Sequence, residues 1–99
     1  MVVRIWTTGL GKGKTEEYLK FARDYSVPMF KKQIGILGVT VLIKGNKSQV
    51  LTYWNEEENI ALMENNNLYK ETVNKIMEAG LLGKLQNVDI FDSPIHFTQ

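Results

Sequence analysis

The stretch Ile36-Leu37-Gly38-Val39-Thr40-Val41-Leu42-Ile43-Lys44-Gly45-Asn46-Lys47-Ser48-Gln49-Val50-Leu51-Thr52-Tyr53-Trp54 decides the fold. Residues 36–43 and 48–54 are rich in β-branched and aromatic side chains, as strands are. Between them Lys44-Gly45-Asn46-Lys47 offers a Gly-Asn pair that tolerates positive φ, so the two runs close as a tight hairpin. Upstream, Val2 to Thr8 is a third β-like run, stopping at the glycines of Gly9-Leu10-Gly11-Lys12-Gly13. From Thr15 the period becomes helical: Tyr18, Phe21, Ala22, Tyr25 and Met29 recur at three- and four-residue spacing, with Glu16 and Glu17 in the first turn. Pro28 lacks a backbone donor and is expected to kink or end this helix, and Gly35 lets the chain leave it. Downstream, Asn55-Glu56-Glu57-Glu58 opens a helical stretch with Ile60, Leu62 and Met63, broken near Asn65-Asn66-Asn67. A longer helix follows with Leu68, Tyr69, Thr72, Val73, Ile76 and Met77 on one side, ended by Gly80 and Gly83. Val88 to Phe91 begins the last strand, which Ser93-Pro94 interrupts before Ile95-His96-Phe97.

The order β-α-β-β-α-β takes up nearly all 99 residues, so one domain, 1–99, is expected. Its class is α+β, of the ferredoxin-like or split βαβ kind: a four-stranded antiparallel sheet with helices on one face. Leu37, Val39, Val41 and Ile43 make one apolar face, yet Ile36 and Leu42 on the other are apolar too, and Val50, Thr52 and Trp54 alternate with Leu51 and Tyr53. A sheet covered by helices on one side only should show a polar second face. Here both faces want cover, which a second copy would supply by closing two sheets into a barrel across a two-fold axis.

Composition narrows the chemistry. The chain has no cysteine, so disulfides, thiolate metal sites and cysteine nucleophiles are excluded, and a reducing cytoplasm is the expected location. Residues Met1 to Leu10 do not read as a signal peptide, and no run approaches the roughly 20 apolar residues of a membrane span. Net charge is +1 with lysines scattered over many segments, which argues against a nucleic-acid stripe.

The glycine-rich turn before Thr15 invites comparison with a phosphate loop but fails the count: a P-loop needs glycine where Thr8 stands, and a dinucleotide loop needs its third glycine one residue later. It reads as a β-to-α connection, with anion capture at the helix start as the alternative. His96 is the only histidine, so sites built from several imidazoles are excluded; it is a candidate general base or a surface or interface residue of the tail. Tyr18, Tyr25, Tyr53, Trp54, Met63, Tyr69 and Met77 either pack a core or line an apolar cavity with hydroxyls, and Trp6 shares that ambiguity. Arg4, between Val3 and Ile5, is either an intersubunit partner for an acid or a pocket cation. Glu56-Glu57-Glu58 reads as a solvated helix start, with no metal site in view.

Several of these segments resemble the antibiotic biosynthesis monooxygenase-like family of dimeric α+β barrels: Val3-Arg4-Ile5-Trp6, Gly13-Lys14-Thr15-Glu16-Glu17-Tyr18-Leu19, Val27-Pro28 through Gly38-Val39, and Leu51-Thr52-Tyr53-Trp54-Asn55 with Leu68-Tyr69-Lys70. The resemblance implies the fold strongly and the activity weakly. Haem-degrading members would place Trp and His where this chain has Met63 and Val73, and Val73 has no group to bind iron. Phenol-oxidising members use Asn, Trp and Tyr groups around the pocket, which implies roles for Asn55 and Tyr69 in orienting a substrate hydroxyl without a cofactor, although this chain has no Trp on a helix; His96 is the separate candidate for the base. Arg4, Trp6, Tyr18, Tyr25, Tyr53, Trp54, Met63 and Met77 would then contact a small quinol or polycyclic phenol. The competing expectation is a dimeric module that binds such a ligand without turnover.

Overall fold

The hairpin forms on a two-residue turn in which Gly45 has φ +59° and Asn46 keeps negative φ, with Lys44 facing Lys47. That is the geometry of a type II′ turn, whose first central position favours glycine. The computed structural model describes residues 1–99, and β1 (Val2–Leu10), α1 (Thr15–Phe21), α2 (Val27–Lys31), β2 (Ile36–Lys44), β3 (Lys47–Trp54), α3 (Glu57–Glu64), α4 (Asn67–Glu78) and β4 (Leu82–Asp92) follow in order. The four strands form one antiparallel sheet in the order β2-β3-β1-β4, the ferredoxin-like arrangement. No helix is long and apolar enough to cross a membrane.

Pro28 does not end the first helical stretch. A π-helical turn over Ala22–Ser26 precedes it, in which the Val27 N–H reaches back five residues to the Ala22 carbonyl. The widened turn absorbs the missing proline donor, and the helix resumes as α2 with Pro28 in its first turn. Further downstream Asn66 caps α4 by accepting from the Leu68 N–H at 2.9 Å, and the Glu56 N–H donates to Asn59 Oδ1 at 3.0 Å at the start of α3.

Strand boundaries differ from expectation in three places. β1 runs through Gly9 to Leu10, with a register shift against β4 at that point. β4 begins at Leu82, so Gly83 is a strand residue; a Cβ on Gly83 would come within 3.3 Å of the Gly9 backbone, and glycine there lets the two strands approach. Ile95-His96-Phe97 forms no strand. A bulge also sits in β2: Ile36 pairs with Trp54 and Gly38 with Tyr53, leaving Leu37 as the extra residue. Ile36 therefore shares the helix-facing side with Val39 and Val41, and Leu37 is pushed out to solvent.

Alternation then settles which side each strand residue takes. Val2, Arg4, Trp6, Thr8 and Leu10 of β1, with Ser48, Val50, Thr52 and Trp54 of β3, face the helices. Val3, Ile5, Leu51 and Tyr53 occupy the opposite, helix-free face. The buried residues divide into two clusters: one gathers Val2, Met29, Phe30, Val50, Trp54, Ile60 and Met63, and the other Leu10, Tyr18, Phe21, Ile76 and Leu81. Trp6 and Val41 touch both.

Candidate functional site

Between the two clusters lies a cavity of about 210 Å³, lined mainly by apolar side chains. Its floor is the helix-facing row of β1, where Arg4 and Trp6 lie on one side of the strand because alternate residues share a face. Tyr69, Val73 and Met77 of α4 form one wall, and Tyr18, Ala22 and Ser26 the other. The π-helical turn matters here: it leaves Ser26 and Val27 facing the cavity and takes Tyr25 off the apolar stripe.

The long axis of the cavity follows from two rulers. Arg4 contacts Tyr69 at one end, while Leu10 and Tyr18 cluster with Ile76 at the other, so α4 runs alongside β1. Four residues of strand from Arg4 to Thr8 span roughly 13 Å, and eight residues of helix from Tyr69 to Met77 span roughly 12 Å. The cavity lies along this stretch of β1 and α4.

At the first end stands a buried cation. The Arg4 side chain is 5% exposed, and its Nε and Nη2 both donate to Glu64 Oε2 at 3.3 Å. Nη2 also donates to the Tyr69 hydroxyl at 3.2 Å, and the guanidinium lies 5.8 Å from the Tyr69 ring centroid. Because arginine can only donate, the Tyr69 oxygen is the acceptor and its own O–H remains free to donate. No buried side-chain polar atom lacks a partner. Arg4 is thus a pocket cation whose acid partner, Glu64, comes from its own chain.

At the second end Gln86 of β4 accepts from Trp6 Nε1 at 2.9 Å and donates from Nε2 to Thr8 Oγ1 at 2.6 Å. Beside it the Tyr18 hydroxyl pairs with Ser48 Oγ at 2.9 Å. Burial raises the Tyr18 pKa above its ordinary 10.0, partly offset by the Ser48 hydrogen bond, so Tyr18 stays a neutral phenol at physiological pH. Val73 faces the slot with a side chain that offers iron no lone pair.

Of the residues singled out from the sequence, Arg4, Trp6, Tyr18, Tyr69 and Met77 meet in the slot. The others do not. Tyr25 is 48% exposed, stacked on Phe21 at 5.0 Å with Lys75 Nζ 4.8 Å above its ring. Trp54 is fully buried in the first cluster, its Nε1 donating to Thr52 Oγ1 at 2.7 Å, and Met63 packs in the same cluster. Tyr53 lies on the helix-free face because its neighbour Trp54 takes the inner one. Asn55 is exposed beyond β3, its N–H bonded to the Gly35 carbonyl at 2.9 Å. His96 is in the tail over the helix-free face, its ring 6.2 Å from that of Tyr53, in a shallower cleft with Leu37 and Thr40. Asn55 and His96 therefore do not accompany Tyr69.

Glu64, Ser26 and Gln86 were not anticipated. Glu64 had a legible signal, an acid four residues after Ile60 on the stripe that α3 buries. Gln86 lies on the helix-facing alternation running back from Val88, in a segment too polar to read as strand.

No family model matches the sequence, and no curated protein matches it either. Solved structures do match. SnoaB, a cofactor-independent oxygenase from Streptomyces nogalater, superposes with a TM-score of 0.77 at 15% identity, over 99% of this chain and 97% of that one. An antibiotic biosynthesis monooxygenase gives a TM-score of 0.76 at 11% identity, over 94% and 98% of the two chains. A conserved protein from Methanosarcina mazei Go1 gives 0.75 at 16% identity, over 92% and 91%. At such identities the likeness is one of fold, and the fold of this chain is that of the antibiotic biosynthesis monooxygenase-like proteins.

Proposed function

We propose that this chain is a monooxygenase-like enzyme that oxidises a small phenol or quinol with dioxygen inside the slot. The observation that carries the reading is Arg4: a guanidinium held at the end of an apolar cavity, beside a tyrosine hydroxyl with its proton free. A phenol bound there is held as its phenolate, its proton having gone to solvent, because the cation and the Tyr69 O–H both favour the anion. Phenolate is electron-rich enough to reduce dioxygen itself. For a phenol with a free para carbon the balance is phenol plus O₂ giving quinone plus water: one oxygen atom forms the new carbonyl, the other leaves as water, and the ring supplies four electrons; a quinol, whose para carbon already bears oxygen, supplies two electrons and gives quinone plus hydrogen peroxide. The apolar walls keep bulk water from the radical and peroxide stages. In this reading Tyr69 orients the hydroxyl, Arg4 holds the negative charge, Trp6 is the floor under the ring, and no cofactor takes part; Asn55 and His96 have no role at the slot. The fold shared with SnoaB supports the same direction.

A second reading, ligand binding without turnover, is favoured by one feature. The slot has no free base: no carboxylate lines it, Glu64 behind Arg4 is engaged by the guanidinium, and Tyr18 stays neutral. We also infer a homodimer through the helix-free face, supported by the apolar Val3, Ile5, Leu51 and Tyr53 that no helix covers.

The test is oxygen uptake with a panel of hydroquinones and of polycyclic phenols with a free para carbon, with quinone and hydrogen peroxide measured in parallel, since only the phenols should give quinone without peroxide. One O₂ consumed per quinone formed, abolished by Arg4→Met and lowered by Tyr69→Phe, is the expected result. A phenol that binds and is recovered unchanged after aerobic incubation decides for the second reading.

A further inference from the structure

We infer that Gln86 reads an oxygen at the far end of the ligand, so that the slot selects elongated planar arenes carrying a hydroxyl at one end and a hydroxyl or carbonyl oxygen at the other. The inference deepens, and rests on, the reading that the slot takes a phenol at Arg4.

Two polar ends separated by an apolar middle are what the geometry provides. Arg4 and Tyr69 stand toward one end of the cavity and Gln86 toward the other: Gln86 pairs with Thr8, four strand residues or roughly 13 Å along the backbone from Arg4, and its amide reaches back to the edge of the Trp6 indole. A single ring with one hydroxyl engages only the first end. Satisfying both takes a longer ring system with a second oxygen.

The Gln86 amide is built to be read. The Trp6 Nε1 group can only donate, so the amide oxygen must face it and the amide nitrogen must face Thr8, which removes the usual ambiguity between the two. Each amide atom then has capacity left: Oε1 a second lone pair and Nε2 a second N–H. The residue lines the cavity while remaining exposed, so that capacity is open to a ligand. An amide with both a donor and an acceptor free accepts either a hydroxyl or a carbonyl as partner, the two states between which a phenol oxygen passes on oxidation. Gln86 can hold either one.

Gln86 also holds the Trp6 indole, so the test must separate reading from positioning. Binding of a naphthol and of a naphthalene diol with one hydroxyl on each ring is measured by calorimetry, anaerobically, on the full chain and on Gln86→Leu. Wild type is expected to bind the diol about three- to tenfold more tightly than the naphthol, the worth of one hydrogen bond. In Gln86→Leu that preference falls to about one, over and above any weakening that both ligands share from a loosened Trp6 indole. Equal weakening of both ligands would make Gln86 only a support for Trp6 and overturn the inference, as would a preference that survives in the variant. If wild type binds the naphthol with no preference for the diol, the inference fails and the phenol reading stands; if it binds neither, the phenol reading fails and the inference with it.

Discussion

Replacing Glu64 by Gln should have two effects of opposite sign. Glu64 is the counter-charge of Arg4, whose side chain is 5% exposed, while Glu64 itself is 40% exposed. Breaking a fully buried pair costs about 3–5 kcal/mol, and a fully exposed pair is worth about 0–1. This pair lies between: its cation is buried, its carboxylate reaches water, and both hydrogen bonds fall on one oxygen at 3.3 Å. About 2 kcal/mol is the expected loss for Glu64→Gln, which keeps size and an acceptor but removes the charge. For a domain of this size that lowers the Tm by roughly 8–16 °C. The orphaned guanidinium should then hold an anionic ligand more strongly, since the phenolate becomes its sole counter-charge. Binding of a phenol measured above its own pKa is expected to tighten about fivefold, or about 1 kcal/mol. Thermal melts of wild type and variant, with and without ligand, read both effects. A variant as stable as wild type would show that Arg4 does not depend on Glu64. A variant that is destabilised and also binds the phenolate more weakly would refute Arg4 as the anion site.

Gly35 has φ +83° and a Cβ there would fall on the Asn59 amide, so Gly35→Ala should cost about 2–4 kcal/mol by urea unfolding; a loss under 1 kcal/mol would mean that this turn relaxes freely. Tyr18 has its folded pKa raised above 10.0, so the folded state keeps the proton more tightly than the unfolded one. Its contribution is complete below pH 10 and is lost as pH rises through the folded value, so the alkaline loss of stability should be shallower in Tyr18→Phe than in wild type. Ile5 faces Leu51 on the helix-free side, and the double change Ile5→Lys with Leu51→Lys should yield monomers in sedimentation from a wild type that sediments as a dimer; wild-type monomers would remove the dimer inference.

Much of the fold was legible because the hairpin announces itself twice, through strand composition and through Gly45-Asn46. The long helix carrying Tyr69 and Ile76 was equally plain from its period. What escaped were features that depend on neighbours in space. Whether Pro28 ends a helix or sits after a widened turn is decided by packing, since both Met29 and Phe30 find a place in the first cluster. The bulge at Leu37 exchanges faces within β2, and one extra residue is invisible to a period of two. β4 pairs with β1 on one side only, so its polar first half has no hydrophobic alternation to betray it. The site was half legible for the same reason. Arg4 stood out as a charge within an apolar strand, but its partners come from residues 64 and 69, while Gln86 meets Trp6 and Thr8 farther along the same strand, and only folding brings these together.

The slot parts what would otherwise be one hydrophobic core into two. At about 24 cal/mol per Å³, a void of about 210 Å³ would cost on the order of 5 kcal/mol if it were enclosed; this one opens beside the exposed Met77 and Gln86, so its cost is smaller. A domain of this size has little stability to spare, so this space is a handicap that an occupant relieves. Selection for a sturdier chain would close it, by enlarging Ala22 or Val73 until the two halves touch. Such a variant would outlast the native chain on heating and would be deaf to every ligand.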